Sequence, residues 1–289
     1  MRHWFGSIRF WIAVAILLVI SIIATDDRII VRHYTWQAPH GSPATETLSI
    51  AIITDLHSCF YGNNQSQIID VLTSRHIDAI VLGGDIYDDV LPQTHADVLL
   101  SQLSAITPNV YYVNGNHELY LPHDAYQQIE QKIRQYGIHI LHGQGQAISA
   151  DSPVMIWGVS DPFSGRFAQD LRTVGQLAKA QKPNILISHR PEHITDYTRY
   201  PFDIVISGHA HGGQWRVPYL INGLFAPNQG ILPKYAGGSY QLPNPSSHSQ
   251  QTQLIVSRGL ARESTRYIPR IFNRPEVVFL TINPQSGQL

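Results

Sequence analysis

Five short apolar runs recur along the chain, each ending in a polar motif: LSIAIITD, IDAIVLGGD, NVYYVNGN, NILISH and DIVISGH. Their apolar positions are continuous rather than alternating, the pattern of strands buried on both faces of a parallel sheet. Between them the period changes. NQSQIIDVLTSR sets Ile68, Val71 and Leu72 at helical spacing, and THADVLLSQLSAI puts Ala96, Leu99, Leu100 and Leu103 on one face from about Thr94. DAYQQIEQKIRQYG repeats the stripe with Tyr126, Ile129, Ile133 and Tyr136, and Gly137 supplies the stop. VMIWGVSD predicts a further strand, residues 167–180 a helix, and QTQLIVSRG and EVVFLTI late strands. Strand and helix in succession predict an α/β domain with much parallel pairing over residues 48–289.

The first 28 residues follow a different pattern. After Arg2 and Arg9, an apolar run broken only by Ser21 extends from Phe10 to Ala24. As a helix it is about 22 Å long, short of the roughly 30 Å hydrocarbon core, unless Trp4, Phe5 and Ile8 extend it while Arg9 snorkels. An uncleaved membrane anchor fits better than a cleaved signal peptide, because Ile22 stands where a cleavage site wants a small residue. Arg2 and Arg9 predict a cytoplasmic N-terminus, hence a single-pass cell-membrane protein with its main domain outside, although Arg28 and Arg32 flank the other end. Residues 29–47, with the polar stretch QAPHGSPATET, read as a linker and edge segment.

Bulk composition narrows the picture in two ways. Lys and Arg number 20 against 21 Asp and Glu, so no nucleic-acid partner held by bulk charge is expected. Cys59 is the only cysteine, which rules out a disulfide within the chain.

The polar motifs at the strand ends carry the candidate chemistry. In open parallel sheets, ligands collect beyond the carboxyl ends of strands. TDLH, GGDIYDD, NGNHE, SHRPE and SGHAHGG occupy five such ends. Taken singly, each has a plain structural reading: Asp55 and Asp85 as caps of turns, Asn116 as a left-handed turn residue, His117 and His189 as hydrogen-bonded histidines. Together they would make a costly buried group unless cationic charge compensated them.

The succession D-x-H, GD-x-x-D, GNH-E, H and GH-x-H from Asp55 to His211, followed by LPKYAGG and LIVSRGL, resembles the calcineurin-like metallophosphoesterase superfamily, in its membrane-associated phosphodiesterase branch. The resemblance implies a four-layer α/β/β/α sandwich and two divalent metal ions of the manganese, iron or zinc kind. It implies that Asp55, His57, Asp85 and His211 hold one ion and that Asp85, Asn116, His189 and His209 hold the other. His117 is implied as the group that touches phosphate and protonates the leaving oxygen, with a metal-bound hydroxide as nucleophile. Asp88 and Asp89 are candidate supporting carboxylates. Ala210, where Thr is frequent, and Glu192, where Asp is frequent, depart from the pattern at positions that should not bind metal. The expected substrate is a phosphoester, a phosphodiester of the envelope or a lipid-linked phosphate. A nucleotide-diphosphate-lipid pyrophosphatase is the alternative, and a non-catalytic anchored metal-binding protein is the reading from another class. The aromatic and glycine-rich stretch from Trp215 to Pro245 reads either as a long irregular connection or as an apolar rim for lipid. Arg190, Arg258 and Arg262 read as solvated surface charges that could also contact phosphate.

Overall fold

The computed structural model describes residues 2–44, 46–149, 152–262 and 269–284, with side chains from residue 8 onward. It opens with α1 (Arg2–Ala24), β1 (Ile30–Gln37) and β2 (Leu48–Ile53). There follow α2 (Ser66–Thr73), β3 (Ala79–Gly83), α3 (Thr94–Leu103), β4 (Val110–Val113), α4 (Asn116–Tyr120), α5 (His123–Gln135) and β5 (His139–Ile140). The next stretch holds β6 (Gln144–Ala147), β7 (Met155–Gly158), α6 (Phe167–Leu177), β8 (Asn184–Ile187), α7 (Ile194–Tyr197) and β9 (Ile204–Ser207). The last contains β10 (Phe225–Ala226), β11 (Gly230–Ile231), β12 (Gly238–Pro243), β13 (Gln251–Val256) and β14 (Glu276–Asn283).

Two six-stranded sheets carry the fold, in the orders β1-β14-β2-β3-β4-β5 and β12-β13-β9-β8-β7-β6. Strands β2 to β5 are mutually parallel, as are β7, β8, β9 and β13. Their continuous apolar runs have a direct cause, since successive side chains enter different cores. Ile50 and Ile52 of β2 face Ile185 and Ile187 of β8 and Ile204 and Ile206 of β9, in a core between the sheets. Ala51 and Ile53 face the other way, against Leu72 of α2, Leu99 and Leu103 of α3, and Ile129 and Ile133 of α5. On the far side, Leu186 and Val205 pack with Leu171 and Val174 of α6 and Tyr197 of α7. Helices, sheet, sheet and helices therefore stack in that order.

Within the linker and edge segment expected over residues 29–47, β1 is the outer strand of the first sheet: it pairs in parallel with β14 from Ile30↔Glu276 to Gln37↔Asn283, and Trp36 joins the core between the sheets. Other features depart from the sequence reading. The stretch after Trp215 is not wholly irregular, since β12 closes the edge of the second sheet against β13. α1 forms where the apolar run predicted it, but no helix among the described residues is long and apolar enough to cross a membrane. The expected single span is not met there, because the uninterrupted apolar stretch begins only after Arg9 and reaches about 22 Å against roughly 30 Å of hydrocarbon.

Candidate metal centre

The polar motifs lie where five strands stop. β2, β3 and β4 deliver Asp55 with His57, Asp85, and Asn116 with His117; β8 and β9 of the other sheet deliver His189, His209 and His211. The backbone turns sharply at each place. Asp55, His57, Asp85, His209 and His211 all have positive φ, between 47° and 65°. This left-handed conformation costs a non-glycine residue roughly 1–2 kcal/mol, so other contacts must hold it. They are visible. Asp55 N–H donates to Gly84 O, His57 N–H to Asp85 O and Ser58 N–H to Ile86 O, each at 2.9–3.0 Å, which ties the first two loops together. The buried Glu118 carboxylate accepts the N–H groups of Asp85, Ile86, Tyr87 and Gly115 at 2.7–3.1 Å.

Each aspartate is half satisfied. Asp55 Oδ1 accepts His209 N–H and Asp85 Oδ1 accepts His117 N–H, both at 2.9 Å. Small neighbours make these approaches possible: a Cβ on Gly115 would collide with the Asp85 side chain, and one on Gly208 with Asp55 Oδ2. The second oxygens are left over. Asp55 Oδ2, Asp85 Oδ2, Asn116 Oδ1, His57 Nε2, His189 Nε2, His209 Nδ1 and His211 Nδ1 are all buried without a hydrogen-bond partner among the described residues.

The same atoms converge. Asp55, His57, Asp85 and His211 each offer a ligand atom within 4.8 Å of the others, as do Asp85, His189 and His209. Asp85 belongs to both groups, with Oδ2 3.0 Å from His189 Nε2 and 3.6 Å from His57 Nε2. The opposite ring nitrogens are tied down: His57 Nδ1 to Asp88 Oδ2 at 3.1 Å, His189 Nδ1 to Gly83 O at 2.8 Å, His209 Nε2 to Asn228 Oδ1 at 2.9 Å. Such outer partners fix the tautomer and aim the free nitrogen inward. A buried set of orphaned imidazole nitrogens and carboxylate oxygens fits divalent transition cations, and would be costly with nothing to bind. A third grouping, His57 with Asp88 and His117, can also be drawn. It fits a cation less well, because His57 Nδ1 and Asp88 are already bonded to each other and Asp88 Oδ1 accepts from Val90 and Leu91.

The electrostatics favour positive charge between the aspartates. Burial pushes the His189 imidazole down, but the negative charge of the adjoining Asp85 outweighs it and raises it to about 10. Burial likewise opposes protonation of His57, and Asp88, Asp85 and Asp55 overcome it. His209 and His211 go the other way: burial, then the His189 and His57 charges respectively, hold them neutral. Neutral imidazole is the ligating form.

His117 stands beside these groups. Its ring lies edge-on to His57 at 4.4 Å, its Nδ1 is 2.7 Å from Asp89 Oδ1, and its side chain is 28% exposed. Tyr120 and then Phe163 continue an aromatic edge from it. Arg190 is not the solvated charge expected. It is buried, forked onto Asp161 at 2.6 and 3.1 Å, and bonded to Asn228. Glu118, Asn228 and Asp161 do not stand out in the sequence as site residues. For Glu118 a signal is present in NGNHE; for the other two there is none.

The profile of the calcineurin-like phosphoesterase family matches residues 48–213, a span that contains the eight candidate positions Asp55, His57, Asp85, Asn116, His117, His189, His209 and His211 but not Asn228. A metallophosphoesterase of Helicobacter pylori (strain J99 / ATCC 700824), itself uncharacterized, is 26% identical over 247 residues, 83% of this chain and 60% of that protein. The UDP-2,3-diacylglucosamine pyrophosphatase LpxG of Chlamydia muridarum is 26% identical over 71% of this chain and 61% of its own length. The phosphodiesterase YaeI of Escherichia coli is 26% identical over 71% of this chain and 70% of its own. The chain thus spans about 60% of the length of the Helicobacter protein it matches.

Proposed function

The chain belongs to the calcineurin-like phosphoesterase family, and on that premise we propose that it is a metal-dependent phosphoesterase that hydrolyses a phosphodiester of the cell envelope or a lipid-linked phosphate. One cation would be held by Asp55, His57, Asp85 and His211, and a second by Asp85, Asn116, His189 and His209. Bound there, two divalent ions supply Lewis-acid charge for the phosphoryl oxygens and bring the pKa of water toward neutrality. The chain's own residues do the rest. Asp88 and Gly83 O orient His57 and His189, and Glu118 holds the Asp85 loop in its strained turn. Asp89 holds His117 by Nδ1, leaving Nε2 to give a proton to the departing oxygen.

The observation that carries this reading is the set of seven buried, partnerless ligand atoms from two sheets. A second reading, a nucleotide-diphosphate-lipid pyrophosphatase, is favoured by the likeness to LpxG. Membrane association belongs to the same proposal. Phe10, Trp11, Leu17 and Leu18 of α1 are exposed, an apolar surface that protein does not cover.

The test compares turnover of a chromogenic phosphodiester, a lipid-linked pyrophosphate and a phospholipid by metal-loaded protein and by protein stripped with a chelator. Metal-dependent turnover of the diester above the pyrophosphate supports the first reading, and the reverse order supports the second. Equal turnover with and without metal would end both.

A further inference from the structure

A cavity of about 550 Å³ is bounded by Arg32 of β1, by Arg216, Arg258 and Phe272, and by residues 217–222; none of the eight candidate site residues lines it. Its charge is unbalanced. Glu276 Oε2 lies 3.3 Å from Arg258 Nε and 3.8 Å from Arg32 Nε, yet none of these three atoms has a hydrogen-bond partner among the described residues. Arg216 donates to Gly212 O and to the Asn222 side chain, and no carboxylate pairs with it among the described residues. Three guanidinium groups thus face one carboxylate. Burial, and then the neighbouring Arg258 charge, push Arg216 down to about 10. Cations crowded into a partly enclosed space want an anion, and a planar guanidinium fork suits phosphate.

The rim has the opposite character. Tyr219 is fully exposed (106%) and Leu220 is 83% exposed, so the loop carries its apolar side chains into solvent. Phe272, in the cavity wall, donates its N–H to Ala24 O at 2.7 Å, at the end of α1. One wall of the cavity is therefore hydrogen-bonded to the foot of the exposed apolar helix. Cationic walls, apolar tips and an apolar helix at one place match the layers of an anionic bilayer surface.

We propose that this cavity binds the phosphate of an anionic lipid headgroup, with Tyr219 and Leu220 among the acyl chains, and so seats the domain on the membrane. A soluble phosphate shares the charge chemistry but has no use for the two exposed apolar side chains, so the lipid is the occupant. The site is separate from the metal groups and does not depend on what they hydrolyse.

The full chain in nonionic detergent is titrated by calorimetry with dihexanoyl phosphatidylglycerol, dihexanoyl phosphatidylcholine and sn-glycerol 3-phosphate. The anionic lipid should bind at least tenfold more tightly than either of the others. Arg258→Gln and Arg32→Gln should each weaken it about fivefold, and Tyr219→Ser with Leu220→Ser should reduce it to the level of glycerol phosphate. Asp85→Asn, which disables the proposed hydrolysis, should keep the binding. Equal affinity for glycerol phosphate and phosphatidylglycerol would overturn the lipid assignment. Unchanged affinity in Arg32→Gln, whose exposed side chain is the least able to disturb folding, would overturn the site. Loss of binding in Asp85→Asn would move it to the metal groups and likewise overturn the proposal.

Discussion

At the scale of single residues, His117 differs from the other imidazoles of the site: one nitrogen is tied to Asp89, and the ring is partly open to solvent while its neighbours are buried. That is the posture of a proton donor rather than a ligand. His117→Ala should retain its metal by elemental analysis and lose about 10²–10⁴-fold in turnover. Retained turnover would remove its assigned role. Glu118 makes a different kind of case, because it is fully buried and accepts four backbone N–H groups. Glu118→Gln puts an amide donor against donors. We expect about 2–4 kcal/mol of lost stability by chemical denaturation, together with weaker metal binding. A fully stable variant would show that the loop does not need the carboxylate. The residue types whose side chains converge were legible in the sequence, because Asp, Asn and His recur at the ends of successive strands, where a parallel sheet gathers its ligands. Of their supports, Glu118 is marked by the GNH-E motif, whereas Asp161 and Asn228 act across separations of 29 and 19 residues, which no local pattern encodes.

At the scale of elements, strands buried on both faces and amphipathic helices were readable because their periods are strong. β5 has two residues and β6 carries two glutamines, so neither announces itself. β12 is an edge strand whose burial alternates along its length, and it starts with a glycine and ends with a proline, as loops often do. Contacts between elements are equally hidden. Asp203, just before β9, accepts the N–H of Asn184 at the start of β8 and the hydroxyl of Ser249. Burial pushes its carboxyl up to about 6, above its ordinary 3.8. The folded chain therefore holds this proton more tightly than the unfolded chain does. The associated stability is present in full below about pH 4, falls as pH rises, and is gone above about pH 6. The window corresponds to something on the order of 3 kcal/mol. Asp203→Asn should flatten the stability profile between pH 4 and 6 relative to the parent chain in urea titrations. An identical slope in both proteins would contradict the coupling.

At the scale of the molecule, the candidate site exists only because the two sheets are docked. The first sheet supplies Asp55, His57, Asp85, Asn116 and His117, and the second supplies His189, His209 and His211. The apolar core between the sheets, built from Ile50, Ile52, Ile185, Ile187, Ile204 and Ile206, is the rigid support behind the strained ligand loops. Asp85 sits at the seam, the one side chain shared by both groups of converging ligand atoms. Metal content per chain in the parent and in Asp85→Ala is therefore the most direct test. The parent should bind two divalent ions per chain, and the variant should lose both together. A parent that binds one ion or none, or a variant that keeps one at full affinity, would contradict a shared dinuclear centre.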